Sequence, residues 1–234
     1  MMKNKIYINV AVMGSVNHVL SNLLHRIKES GLYEFSDEIN LIINGDLSLI
    51  TIDLNDPKYK VFNKHKDATR HEFPTLDLIW KNSDKEDFNI LYLHTKGVSR
   101  LHPFIEDWTN YMSYFNINKW EDRIKELETN DCTGVNHFGN PDDINEHPST
   151  WGYGKAPMHY SGNFWWSKSS HIRKLPNPYS WIPTEDFNRW RMMNEMWVCQ
   201  ISDGKYYSAW SSDIDHYQNP YPKELYENKE KIWN

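Results

Sequence analysis

The sequence predicts an α/β domain built on a mostly parallel central sheet, with flanking helices and a mixed C-terminal half. Three observations carry this. Unbroken apolar runs recur at residues 6–13 (IYINVAVM), 39–44 (INLIIN) and 90–93 (ILYL), as in strands buried on both faces of a parallel sheet. Between the first two, Val16, Val19, Leu20, Leu23, Leu24 and Ile27 recur at helical spacing. Glycines then punctuate the pattern, with Gly14 after the first strand, Gly31 after the helix and Gly45 after the second strand.

Taken in order, residues 6–13 form the first strand, 16–30 a helix and 39–44 the second strand, and LSLITIDL (47–54) reads as a third. Pro74 suits the first turn of a helix carrying Leu76, Leu78, Ile79 and Trp80. That helix feeds the strand NILYLHTKG (89–97). Two helices follow, over 103–115 and 118–129, the second with Trp120, Ile124 and Leu127 on one face. DCTGVNH (131–137) is a short strand, and residues 138–158 read as a long loop, a feature that in compact domains is usually functional or mobile. HYSGNFWWSKSSHIRKLP (159–176) reads as strand, turn and short helix, 187–198 as a helix, and VCQISDGKYYSAW as a hairpin around Asp203-Gly204. No repeat or linker is visible, so the expectation is one domain over 1–234. Its parts are a nucleotide-binding half (1–97), an acceptor and catalytic half (98–216) and a surface-wrapping tail (217–234).

Bulk properties exclude some classes. The net charge of -6 disfavours nucleic-acid binding through a basic surface. No run approaches the ~20 apolar residues of a membrane span. Cys132 and Cys199 lack metal-ligand spacing and read as buried free thiols in a reducing compartment, so a soluble cytoplasmic protein is expected. An aromatic content of 15%, rich in Trp and Tyr, hints at sugar handling, although such residues also fill cores.

The chemistry starts where the strand at 90–93 ends in His94, Thr95, Lys96 and Gly97. Ligands of open α/β sheets sit at strand C-terminal ends. A lysine beside a flexible glycine there suits a phosphate, by a charge-assisted hydrogen bond and close backbone approach. The P-loop spacing is absent, and so is the GxGxxG of a dehydrogenase. In HYSGNFWW, Ser161 and Gly162 permit tight backbone approach and Asn163 offers sugar-directed hydrogen bonds. Trp165 and Trp166 alternate in facing, so at most one of them, Trp165, stacks on a sugar. His159 and Asn136 are further polar contacts for such a ligand.

The strings LHTKG, DCTGVNH, SGNFWW, the LP at 175–176 and RMMNEMW together resemble a group of GT-A-fold glycosyltransferases found in bacterial surface-polysaccharide clusters and large DNA viruses. The resemblance spans residues 90–197. It implies transfer of a sugar from a nucleotide-sugar donor, UDP-sugar by default, to a glycan or other hydroxyl acceptor, with inversion as the expected course. It places base and ribose at Met13, Gly14 and Ser15, and an acceptor-side base at Glu195, with Asp131 as a second candidate. Most GT-A enzymes end the corresponding strand in a DxD motif holding Mn²⁺ or Mg²⁺; here His94-Thr95-Lys96 stands in its place. Either Lys96 takes over the metal's charge-neutralising work, or a metal sits elsewhere, for which Asp213, Asp215 and His216 form a DxDH string. Rival readings are a non-catalytic carbohydrate-binding module, and another nucleotide-dependent α/β transferase such as a nucleotidyltransferase. The latter normally needs paired carboxylates for Mg²⁺ at a strand end.

Overall fold

The structure is a computed structural model that describes residues 2–140, 142–143, 156–181 and 191–229. Its elements are β1 (Lys3–Ala11), α1 (Val16–Glu29), α2 (Leu32–Phe35), β2 (Glu38–Asn44), β3 (Tyr59–His65), α3 (Phe73–Ser83), β4 (Phe88–His94), α4 (Pro103–Ser113), α5 (Trp120–Thr129), β5 (Cys132–Gly134), β6 (His137–Phe138), β7 (His159–Tyr160), β8 (Trp165–Lys168), α6 (Ser169–Ile172), α7 (Met193–Met196) and β9 (Tyr206–Ser208). Seven strands form one sheet in the order β3-β2-β1-β4-β8-β5-β9, and β6 with β7 forms a small second one. β8 runs antiparallel to both β4 and β5, while the other pairings in the large sheet are parallel. This is the α/β architecture with a mostly parallel sheet that the sequence predicts.

The core lies on both faces of the sheet, and alternation along the strands divides it. Ile6, Ile8, Leu91, Leu93 and Trp166 pack on one face against α1, with Leu20, Leu23 and Ile27 in the same cluster. Tyr7, Ile90, Tyr92 and Trp165 pack on the other, against Leu76 and Ile79 of α3 and Ile172 of α6. That two-sided burial is why these strands read as continuous apolar runs.

Some expectations need correction. Residues 47–54 are not a strand. Asp46 accepts hydrogen bonds from the backbone and hydroxyl of Ser48, and the chain turns into a short 3₁₀ helix over Leu47–Leu49. The third strand is Tyr59–His65 at the sheet edge, where no residue is fully buried and little apolar signal is left to read. The hairpin around Asp203-Gly204 is a turn without a hairpin. Trp197–Cys199 is 3₁₀ helix, fully packed into the core, and β9 pairs in parallel with β5. Of the helix expected over 187–198, residues 187–190 lie outside the described residues; within those described, α7 covers only Met193–Met196 and Trp197–Cys199 follows as 3₁₀ helix. Cys132 and Cys199 are buried free thiols, and burial pushes both thiol pKa values up. Among the described residues no helix is long and apolar enough to cross a membrane.

Candidate functional site

β1, β2, β4, β5 and β9 all run the same way, so their C-terminal ends share one edge of the sheet. Gly14 and Ser15, Gly45, residues 94–97, Asn136 and the segment 208–212 meet there, together with 161–164 leading into antiparallel β8. The backbone is bent sharply along this edge. Gly14, Asn136, Gly162 and Asn163 all have positive φ, at 49°, 50°, 84° and 59°. At Gly14 and Gly162 the need for glycine is also steric. A Cβ on Gly14 would lie 2.1 Å from the carbonyl oxygen of Val98, and one on Gly162 would lie 2.4 Å from Met112 Sδ. Gly162 is therefore dictated by α4 packing against it and not by a ligand's approach.

Lys96 is the central cation. Its Nζ rests 3.7 Å from the centre of the Trp108 ring and 5.7 Å from that of Tyr217, an arrangement that holds an ammonium without neutralising it. Among the described residues it has no hydrogen-bonded or ion-paired partner. Burial lowers its pKa, while Glu195 and then Glu72 act to raise it. Glu195, half-buried on α7, is thus one of two carboxylates whose charge acts on Lys96.

Glu72 is the residue sequence reasoning missed. It stands at the start of α3 but leaves the helix end uncapped and turns toward β4. Its Oε2 accepts hydrogen bonds from Tyr92 Oη (2.6 Å) and Asn163 Nδ2, and its Oε1 lies 3.8 Å from His94 Nδ1. The only local signal was a carboxylate one residue before Phe73-Pro74, a position that reads as helix capping. His94 Nε2 lies 2.9 Å from the carbonyl oxygen of Gly162, and its ring meets Phe164 edge-on.

Asn136 organises the far side of the edge. Its Oδ1 accepts from Tyr111 Oη (3.0 Å) and the Ser212 backbone N–H (2.7 Å), so the amide nitrogen faces His216 Nε2 at 3.3 Å. A backbone N–H can only donate, which fixes the amide's orientation and makes His216 Nε2 the acceptor. His216 is buried between the rings of Trp108 and Tyr111, and burial, then Lys96, lowers its pKa. Trp108, Asn136, Ser161, Asp213, Asp215 and His216 line one cleft of about 540 Å³. A groove of about 450 Å³ lies between α1 and α4 and is bordered by Lys96, Gly97, Arg26 and Arg100.

Other predicted residues fall differently. Met13 is exposed beside Gly14, and Ser15 donates its backbone N–H to the Val98 carbonyl (2.9 Å), which docks the 95–98 turn on the start of α1. Thr95 is buried and its hydroxyl accepts from the Ala11 N–H, stitching β4 to β1 instead of facing a ligand. Trp165 does not present a sugar-stacking face: helices cover both faces of the sheet, and its ring is fully buried and stacked on Tyr92. Asn163 is also fully buried, with its amide group engaged by Glu72 and by the Trp165 indole N–H. His159 is buried in the small sheet, with Nδ1 on the Pro157 carbonyl. Asp131 lies where β5 begins, on the opposite edge of the sheet, and accepts the Lys205 N–H. It is too remote from Lys96 to serve as its catalytic base.

Asp213, Asp215 and His216 share the cleft, yet the set does not fit a metal. Asp215 Oδ1 accepts the Tyr217 N–H, His216 Nε2 is used by Asn136, and no group of at least three His, Cys, Asp or Glu side chains among the described residues is placed to hold an ion.

The fold and this edge define an α/β domain whose polar groups converge at the carboxyl ends of its strands. No family model matches the chain, and no curated protein matches it. Among solved structures, it is similar to 4-diphosphocytidyl-2C-methyl-D-erythritol synthase from Anaerococcus prevotii, at TM-score 0.45 and 12% identity, over 91% of this chain and 90% of the other. A second 4-diphosphocytidyl-2C-methyl-D-erythritol synthase matches at TM-score 0.40 and 10% identity, over 92% and 91%. At that level of likeness neither structure transfers an activity to this chain.

Proposed function

We propose that this chain is a nucleotide-dependent transferase, and specifically that it moves a sugar from a nucleotide-sugar donor, UDP-sugar by default, to a hydroxyl of a glycan or other acceptor. The observation that carries the reading is Lys96: an ammonium with no counter-ion contact among the described residues, held over Trp108 at the carboxyl ends of the strands. Such a group suits the diphosphate of a donor. As the sugar's C1–O bond breaks, charge grows on the departing nucleoside diphosphate, and a fixed cation in a water-poor cleft stabilises it. Gly14, Ser15 and Gly97 border that position on the nucleotide side, and Asn136, Ser161 and the cleft beside them suit the acceptor. Among the described residues, Glu195 and then Glu72 are the carboxylates whose charge acts on Lys96. Because Asp213, Asp215 and His216 are not arranged to hold an ion, no step is assigned to Mn²⁺ or Mg²⁺.

The test is calorimetric titration of UDP-, GDP- and dTDP-sugars into the protein, with and without Mn²⁺, repeated on Lys96→Ala. The reading expects saturable binding of one nucleotide sugar that weakens at least tenfold in the variant. Turnover of a nucleoside triphosphate with release of pyrophosphate would make the chain a nucleotidyltransferase instead. Binding of free sugars without any nucleotide would make it a carbohydrate-binding module.

A further inference from the structure

We propose that His94 and Glu72 form a single proton-accepting pair for the acceptor hydroxyl, an assignment that rests on the transferase reading above. The Gly162 carbonyl can only accept a hydrogen bond, so His94 Nε2, 2.9 Å away, carries a proton. In the neutral ring Nδ1 is then a lone pair. It faces Glu72 Oε1 at 3.8 Å, too far for a direct hydrogen bond. Tyr92 and Asn163 occupy the other carboxylate oxygen. Oε1 has no hydrogen-bond partner among the described residues, so two acceptors converge on one spot with no donor between them. An alcohol O–H supplies the missing proton.

The surroundings hold this geometry. Gly162 and Asn163, both left-handed, aim the carbonyl at His94 and the amide at Glu72. Each side chain of the pair is 15% exposed, so the spot can be reached from solvent. Among the described residues, the charged and titratable groups around it are Lys96 just beyond β4, Tyr92 within β4, Glu195 on α7 and Tyr217, and the Phe164 ring edge also meets His94. In the step itself the acceptor O–H bond breaks and its proton passes to His94 Nδ1. The oxygen's electron pair forms the new bond to C1 as the bond from C1 to the diphosphate oxygen breaks. That second electron pair leaves with the nucleoside diphosphate, and the imidazolium later returns its proton to water. Glu195 remains as counter-charge to Lys96.

The experiment measures transfer rate against pH, and nucleotide affinity by calorimetry, for the wild type, Glu72→Gln, His94→Gln and Glu195→Gln. Gln at 94 can keep the donor to Gly162 while deleting Nδ1. For Glu72→Gln and His94→Gln we expect transfer to fall about a hundredfold or more, nucleotide affinity to change less than about threefold, and the acid limb of the profile to vanish in His94→Gln. Glu195→Gln keeps that limb. Transfer within about threefold of wild type in either pair variant overturns the assignment, as does loss of the acid limb in Glu195→Gln alone. A wild type that binds no nucleotide overturns the transferase reading instead. The pair is then judged by ¹⁵N spectra of His94, which must show a protonated Nε2 and an Nδ1 whose titration moves in Glu72→Gln; a titration that does not move overturns it.

Discussion

The two edges of the central sheet treat charge in opposite ways. Where the strands begin, charges are matched. Lys3 and Lys5 each reach Glu86 at 2.6 Å, Lys5 also meets Glu38 at 3.2 Å, and Arg173 meets Asp87. Where the strands end, Lys96 lies on an aromatic ring, His94 and Glu72 stand 3.8 Å apart, and His216 Nδ1 is buried without a partner. Positive φ is found at Gly14, Gly97, Asn136, Gly162 and Asn163 on the second edge, and at Gly31 toward the first. Among the described residues, the first edge pairs its charges, while the second holds groups without a hydrogen-bonded partner beside left-handed backbone, a combination that the proposed function reads as a ligand site.

Four substitutions probe this contrast. The largest effect belongs to neither edge but to the sheet between them. Trp165→Ala removes a fully buried ring and is expected to cost roughly 3–5 kcal/mol of stability, read by denaturant unfolding. A mild loss with weakened sugar binding would restore Trp165 as a ligand contact. Next, Gly162→Ala forces a Cβ to 2.4 Å from Met112 Sδ at φ 84°, for about 2–4 kcal/mol from overpacking and left-handed strain together. Unchanged stability would show that α4 yields there.

Lys96→Ala separates function from stability. Loss of one charge-assisted hydrogen bond to phosphate is worth roughly 1.5–3 kcal/mol of binding, about 10- to 150-fold in Kd. The melting temperature should hold or rise, since the variant no longer keeps an unpaired cation out of water. A fall in both together would make Lys96 structural. The smallest effect is at the matched edge. Hydrogen bonds from Lys3 and then Lys5 hold the Glu86 carboxyl at about 2, below the usual 4.5. A depressed carboxylate stabilises the fold above its unfolded pKa, and that contribution is lost as pH falls from about 4.5 toward 2. Because the group is well exposed, solvent limits Glu86→Gln to about 1 kcal/mol or less at neutral pH. Urea midpoints at neutral and acid pH check this, and a loss larger at acid pH than at neutral pH would reverse the sign.

Much of the matched, regular part was legible in the primary structure, because each of its signals is local. β1, β2 and β4 announce themselves as apolar runs, α1 by its spacing, and Lys96 as a cation just past a buried strand. The edge strand β3 escaped because none of its residues is fully buried, which leaves its lysines and asparagine reading as loop. Asp131 reads from sequence as the start of a strand, and it is; what the sequence leaves open is that this start lies on the edge of the sheet away from Lys96. Trp165 and Trp166 do alternate as expected, yet covering helices bury both faces, so alternation no longer separates core from ligand.

The sequence by itself determined the class of fold, the direction of the chain through the first sheet half, and the placing of Lys96 at a strand's end. Hydrophobic periodicity and glycine breaks act within a few residues, and they suffice for that. Only the tertiary structure decided which groups remain unpaired at the strand ends. Glu72 meets Tyr92, His94 and Asn163 across separations of 20 to 91 residues. Whether a carboxylate is a helix cap, a surface charge or half of a proton-accepting pair depends on partners that only the folded sheet brings near it.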